Sequence, residues 1–125
     1  MTARLKEIVF DCRHPAALAR FWAALVDGYA IRPYDDEEIA RLAGLGFTPE
    51  TDPSVMVDGP GPSLCFHAVE RGRVQGRIHL DLSVDDRHSE RARALTLGAS
   101  VIREADGYTV LADPEGNHFC LADRR

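Results

Sequence analysis

Ile78-His79-Leu80-Asp81-Leu82-Ser83-Val84-Asp85-Asp86, continuing through Arg87 to Leu97 and stopping at Gly98, is the stretch from which the fold is read. Ile78, Leu80, Leu82 and Val84 alternate with His79, Asp81 and Ser83, the period-2 pattern of a strand with one apolar and one polar face. Asp85-Asp86 then offers a helix N-cap, because a short carboxylate accepts from the free N–H groups of a first turn. The helical run Arg87–Leu97 closes on Gly98. The same sentence is written at the start of the chain. Ile8, Phe10 and Cys12 alternate with Glu7, Val9 and Asp11 within a strand over Leu5–Cys12, and Pro15 sits where a first helical residue tolerates a missing N–H. Leu18, Phe21, Trp22, Leu25 and Val26 then recur at helical spacing, with Gly28 read as the C-terminal cap. An offset of 70 residues lays Asp11 on Asp81, Leu25 on Leu95, Gly28 on Gly98 and Ile31 on Val101, so the chain reads as two copies of one unit.

The remaining segments complete each copy with strands. Tyr29–Ile31 starts a second strand. Asp35–Gly46, acidic at its front and glycine-terminated, reads as a short surface helix. Ser54–Val57 and Leu64–Val69 are strands between turn-rich segments, the second with His67 on the same face as Cys65 and Val69. Glu70–Gln75 reads as a solvated connection. Tyr108–Ala112 and His118–Leu121 flank Asp113-Pro114-Glu115-Gly116-Asn117, a tight hairpin in which Gly116 supplies positive φ. The expected fold is α+β: two βαβββ modules, about 1–70 and about 76–125, forming a curled mixed sheet around a cleft with the helices outside, as one domain spanning 1–125.

Composition supports this reading. The 125 residues carry 45% apolar and 28% charged side chains, an ordinary globular balance. Fifteen Lys and Arg against twenty Asp and Glu give net −5, the wrong sign for binding nucleic acid or an anionic membrane. The longest apolar run, Phe21–Val26, is far short of the roughly 20 residues of a bilayer span. The first residues lead into a strand pattern with no secretory signal, so a cytoplasmic protein is expected. Cys12, Cys65 and Cys120 are odd in number and widely spaced, which predicts free thiols.

Glu7, Asp11, His67, His79, Asp81, His118 and Cys120 collect on the faces opposite the helices. Imidazole, carboxylate and thiolate together could complete the shell of a divalent transition metal, although the spacing matches no zinc-finger or HExxH pattern. Each has a plainer reading as well. Glu7 fits a solvated strand residue, His67 a cleft hydrogen-bonder, Asp11 and Asp81 caps or arginine partners, and His118 an exposed turn neighbour. Cys120 fits a buried small hydrophobe, and Phe10, Phe21 and Trp22 fit helix-on-sheet core.

The duplicated pattern, the Phe21-Trp22 pair, His79–Asp86 and the closing Asp113–Phe119 together resemble the vicinal oxygen chelate superfamily of glyoxalases, bleomycin-resistance proteins and extradiol dioxygenases, and most of all its small glyoxalase-like branch. The resemblance covers essentially the whole chain. By position it implies metal ligands at Glu7, His67, His79 and Cys120. His67 stands where Glu or Gln is common, and Cys120 where a Glu is the hallmark of the metal enzymes. Glu7 is the implied catalytic base, with Asp81 as the substitute, and Asp11, Cys65, Asp81 and His118 would line the ligand pocket. The implied cofactor is a divalent metal, Zn, Ni, Mn or Fe. The implied activity is that of a metal-dependent lyase, isomerase or dioxygenase on a small molecule with neighbouring oxygens. The alternative is a metal-free, antibiotic-sequestering binder of the bleomycin-resistance type. A homodimer is the implied assembly.

Overall fold

The computed structural model describes residues 7–69 and 80–123. The expected connection Glu70–Gln75, the first residues of both opening strands and the candidate ligand His79 lie outside the described residues. Two compact units divide the chain, Met1–Arg73 and Val74–Arg125. In the first, strand β1 (Glu7–Cys12) leads to helix α1 (Pro15–Leu25), β2 (Ala30–Ile31), helix α2 (Asp36–Gly44), β3 (Ser54–Asp58) and β4 (Ser63–Ala68). These strands form a four-stranded sheet in the order β1-β4-β3-β2, with β1 parallel to β4 and the other pairs antiparallel. The second unit repeats the plan with β5 (Leu80–Val84), α3 (Arg87–Leu97), β6 (Ser100–Ala105), β7 (Tyr108–Ala112) and β8 (His118–Asp123), in the order β5-β8-β7-β6. Two mixed sheets of βαβββ order give the α+β architecture read from the sequence.

The period-2 pattern of β1 works as expected. Phe10 turns toward α1, its ring 5.4 Å from Trp22 and stacked at 4.9 Å on Phe66, its partner across the sheet. Leu18, Phe21, Trp22 and Leu25 are all buried, and each contributes roughly 1.5–3 kcal/mol by leaving water. Pro15 opens the helix, but Gly28 does not cap it. The helix ends at Leu25, Val26 is the cap in extended conformation with its N–H bonded to the Trp22 carbonyl, and Gly28 instead turns the chain at φ 79° towards β2. The apolar periodicity ran through Val26, which hid an earlier stop. In α2, Asp35 accepts from the Glu38 N–H.

Helix α3, in the second unit, keeps its expected ends. Asp86 accepts from the Ser89 N–H, and Gly98 closes the helix at φ 118°, a conformation that costs a residue with a Cβ. Asp113 is buried and organises the β7–β8 turn by accepting from the Glu115 and Asn117 N–H groups and the Asn117 side chain, while Gly116 adopts φ 88°.

The repeat offset needs correction. Helices α1 and α3 are both eleven residues long and begin at Pro15 and Arg87, 72 positions apart. Val9, not Asp11, is therefore the counterpart of Asp81. Asp11 falls on Ser83, and Leu25 on Leu97. The glycines that suggested 70 sit in different places, Gly98 ending its helix and Gly28 lying beyond the cap of α1. The last strands β4 and β8 are both six residues long and 55 positions apart, which lays Cys65 on Cys120.

Candidate functional site

In the first unit, strand register decides which side chains share the face turned away from α1. Val9 pairs with Cys65 and Cys65 with Met56, while Asp11 pairs with His67 and His67 with Ser54. Residues opposite one another project to one side. Glu7, Val9, Asp11, Cys65, His67, Ser54 and Met56 therefore lie together, opposite the Phe10–Phe66 face. Cys65 is 7% exposed, with the Ser54 hydroxyl 3.5 Å from its sulfur. Burial raises its thiol pKa, and the adjacent Glu7 carboxylate adds to the rise against the lowering effects of Ser54 and Arg32. His67, one rung further along, is exposed beside Asp11.

An arginine assembly borders this face. The Arg32 Nε and Nη2 donate to the two carboxylate oxygens of Asp58 at 2.8 and 2.9 Å, and the Ser63 hydroxyl donates to Asp58 at 2.7 Å. Those bonds hold the Asp58 pKa at about 2. The charges of Glu7 and Cys65 also reach Arg32. A groove of about 520 Å³ runs from Arg32, Ser54 and Met56 to the α2 residues Glu38 and Arg41, with Tyr34 in its wall. The Tyr34 hydroxyl donates at 2.7 Å to Asp52, which is 5% exposed and also accepts from the Ser54 N–H. Burial and the Asp52 carboxylate push the Tyr34 phenol well above its ordinary pKa.

In the second unit, Asp81 stands directly opposite Cys120 on the parallel β5–β8 pair, and Cys120 opposite Val110. A bulge between Val101 and Arg103 brings Arg103 opposite Val110, onto the same face. Arg103 lies over the Tyr108 ring at 5.5 Å and donates to its hydroxyl at 3.3 Å. Burial raises the Cys120 thiol, Asp81 raises it further, and Arg103 pulls the other way. His118 is exposed at the start of β8.

The structure thus brings two groups of expected residues together: Glu7 with Cys65, and Asp81 with Cys120. Cys65 and Cys120 occupy equivalent rungs, each thiol beside a carboxylate on a neighbouring strand. By the same offsets Glu7 corresponds to His79, whereas His67 corresponds to Ala122, so His67 has no donor as its counterpart. Among the described residues no three His, Cys, Asp or Glu side chains gather as a metal site. All three cysteines are free thiols. Sequence reasoning missed Arg32, Asp58, Tyr34 and Asp52. Arg32-Pro33-Tyr34, directly after β2, was the one local signal available, a cation and an aromatic at a strand exit. The Arg32–Asp58 pairing itself spans 26 residues and needs the sheet register.

Two βαβββ units, each with a helix on one face of its sheet and a polar cluster on the other, define the vicinal oxygen chelate class of fold. The chain belongs to the glyoxalase-like domain family, whose profile matches residues 7–122. Solved structures share the fold. A glyoxalase/bleomycin resistance protein/dioxygenase family enzyme from Burkholderia phytofirmans PsJN is 20% identical at a TM-score of 0.68, over 97% of this chain and 98% of that one. The fosfomycin resistance protein FosX of Mesorhizobium loti is 16% identical at 0.65, over 98% and 92%. The oxidase ChaP-H2 is 16% identical at 0.65, over 100% and 96%. No curated protein matches the chain in sequence. No described helix is long and apolar enough to cross a membrane.

Proposed function

We propose that this protein is a metal-dependent enzyme of the glyoxalase-like family, acting on a small molecule with neighbouring oxygens. The observation that carries the reading is the pair of thiols on equivalent rungs, each beside a carboxylate: Cys65 with Glu7 and Cys120 with Asp81. A buried thiol next to an anion keeps its proton in the absence of a cation, and a transition metal relieves both costs by taking the thiolate. Mixed sulfur, oxygen and imidazole donors suit Zn, Ni or Fe better than Mg or Ca. By family resemblance the proposed donors are Glu7, His79 and Cys120, with Cys65, whose thiol lies beside Glu7, in place of the expected His67, which the register sets opposite Asp11 and away from Glu7. A divalent ion there would supply Lewis-acid polarisation of two adjacent substrate oxygens. Glu7 is the proposed base and takes a proton onto its carboxylate, with Asp81 in that role if Glu7 is a ligand only.

The alternative is metal-free sequestration of an antibiotic-like molecule, and the groove beside Tyr34 and Met56 favours it. A homodimeric assembly, implied by the family resemblance, and a cytoplasmic location, expected from the N-terminal sequence pattern, are further proposals.

The test is metal uptake by the untagged protein after incubation with Zn, Ni, Mn and Fe. The expected result is stoichiometric binding with release of protons from the thiols, weakened at least tenfold by Cys120→Ser and by His79→Ala. No bound metal under any of these conditions overturns the reading. Thermal stabilisation of the metal-free protein by a peptide antibiotic, unaffected by those variants, would instead support sequestration.

A further inference from the structure

Arg32 is bound in a way that leaves it half used. Asp58 takes the side edge of the guanidinium, through Nε and Nη2. Both Nη1 protons and the second Nη2 proton have no partner among the described residues. The end edge of the guanidinium, Nη1 with Nη2, is therefore a second fork with the geometry that accepts two oxygens of one planar anion. The fork is held in place, because the Ser63 hydroxyl fixes Asp58 and Asp58 fixes Arg32. Arg32 lines the groove with Tyr34 and Met56 and senses Glu7 and Cys65 electrostatically. It thus lies between the proposed catalytic face and this groove.

Resting on the proposed function, the geometry points to Arg32 as a specificity-determining residue that binds the carboxylate of the substrate, so that the substrate class is a 2-hydroxy or 2-oxo carboxylic acid whose body lies over Met56 and Tyr34. The neighbouring oxygens are then the carboxylate and the oxygen on the adjacent carbon. The far wall of the groove sharpens this. Asp35, Glu37, Glu38 and Asp52 all line the groove with Arg41 as the counter-charge, and Arg41 is already bonded to Glu38. A single negative charge finds its fork at Arg32, whereas a dianion meets these carboxylates. Monocarboxylates are favoured over phosphate esters.

The experiment is calorimetric titration of the full chain with mandelate, lactate, 2-hydroxyhexanoate and phenylglyoxylate, beside the uncharged 1-phenyl-1,2-ethanediol and the dianion phenyl phosphate. Wild type should bind mandelate or phenylglyoxylate at least roughly tenfold more tightly than the diol, as a charge-assisted fork predicts. Phenyl phosphate should bind more weakly than either acid. Arg32→Gln should remove the preference for the acid, and Arg32→Lys should retain part of it. Asp58→Asn, which keeps Arg32 but frees its orientation, should reduce the preference by less than Arg32→Gln. Equal affinity for acid and diol in wild type, a preference surviving in Arg32→Gln, or no binding by any acid of the series overturns the assignment. Metal uptake, which Arg32→Gln should leave unchanged, judges the proposed function separately. Arg32 is half-exposed and its replacement leaves the core untouched, and an unchanged thermal midpoint in the variant confirms folding.

Discussion

Replacing Tyr34 by Phe should change how stability responds to alkali, and the size of the change follows from one hydrogen bond. At neutral pH, Tyr34 donates to the buried Asp52 at 2.7 Å, so Phe leaves that carboxylate with the Ser54 N–H as its remaining donor in the contact. A hydrogen bond to a charged, buried acceptor puts the cost at about 1–3 kcal/mol. The alkaline behaviour has the opposite sense. Burial first, and the Asp52 anion second, hold the Tyr34 phenol well above the ordinary tyrosine value of 10.0. The folded state therefore keeps a proton that the unfolded chain loses, and stability falls as pH rises above that ordinary value. One unit above it, the loss from Tyr34 alone is about 1.4 kcal/mol. Phe carries no such proton, so the gap between wild type and Tyr34→Phe should narrow steadily from pH 9 to pH 11. Urea unfolding followed by the fluorescence of Trp22, the single tryptophan, reports the unit that contains Tyr34. The thiols and the other tyrosines titrate alike in both proteins and cancel in the difference. Parallel loss of stability in the two proteins over this range would refute the reasoning, because Tyr34 would then not be held protonated by the fold.

Two further predictions test the core and the second thiol. Phe66→Ala removes the ring stacked on Phe10 at a fully buried position and should cost about 3–5 kcal/mol, read as a lower urea midpoint at unchanged slope; a loss under 1 kcal/mol would show that the Phe10–Trp22 cluster refills the space. Asp81→Asn removes an anion that raises the Cys120 thiol, so carbamidomethylation of Cys120 at pH 8, followed by mass spectrometry, should run faster than in wild type, whereas Ser83→Ala should leave it unchanged. Equal rates in Asp81→Asn and wild type would mean that burial alone sets the reactivity of Cys120.

The elements that the sequence revealed most clearly were those whose ends are written locally. Helix α3 was legible from Asp86 to Gly98 because cap, helix and glycine stop are contiguous. The end of α1 was not, because an apolar Val26 continues the helical period past the point where the backbone has already turned. The same kind of ambiguity shifted the repeat by two, since a positive-φ glycine serves both as a helix cap and as an ordinary turn residue. At the site, residues on the strand faces were legible through the period of two, which grouped Glu7, Asp11, His67, Asp81 and Cys120 correctly by face. Which of them meet was not legible, because neighbours across a sheet are set by register. Cys65 rather than His67 proved to be beside Glu7, and the bulge that turns Arg103 towards Cys120 has no marker in Ser100–Ala105. The Arg32–Asp58 and Tyr34–Asp52 pairs likewise arise from chain segments 26 and 18 residues apart.

The two helices that follow the opening strands have the same length but are attached to their sheets by different forces. Helix α1 buries seven of its eleven residues, whereas Ala94 is the single buried residue of α3. Helix α3 is tied to its sheet in part by ion pairs: Arg91 reaches Glu104 at 2.6 Å and Arg87 reaches Asp123 at 3.1 Å, the two arginines half-buried and the two carboxylates exposed. Apolar attachment is indifferent to moderate ionic strength, while exposed ion pairs are screened by it. Backbone amides of α3 should therefore exchange with solvent deuterium sooner than those of α1, and added sodium chloride should widen the difference. Ionic strength becomes a dial that loosens one half of a duplicated molecule while the aromatic anchor of the other half stays fast.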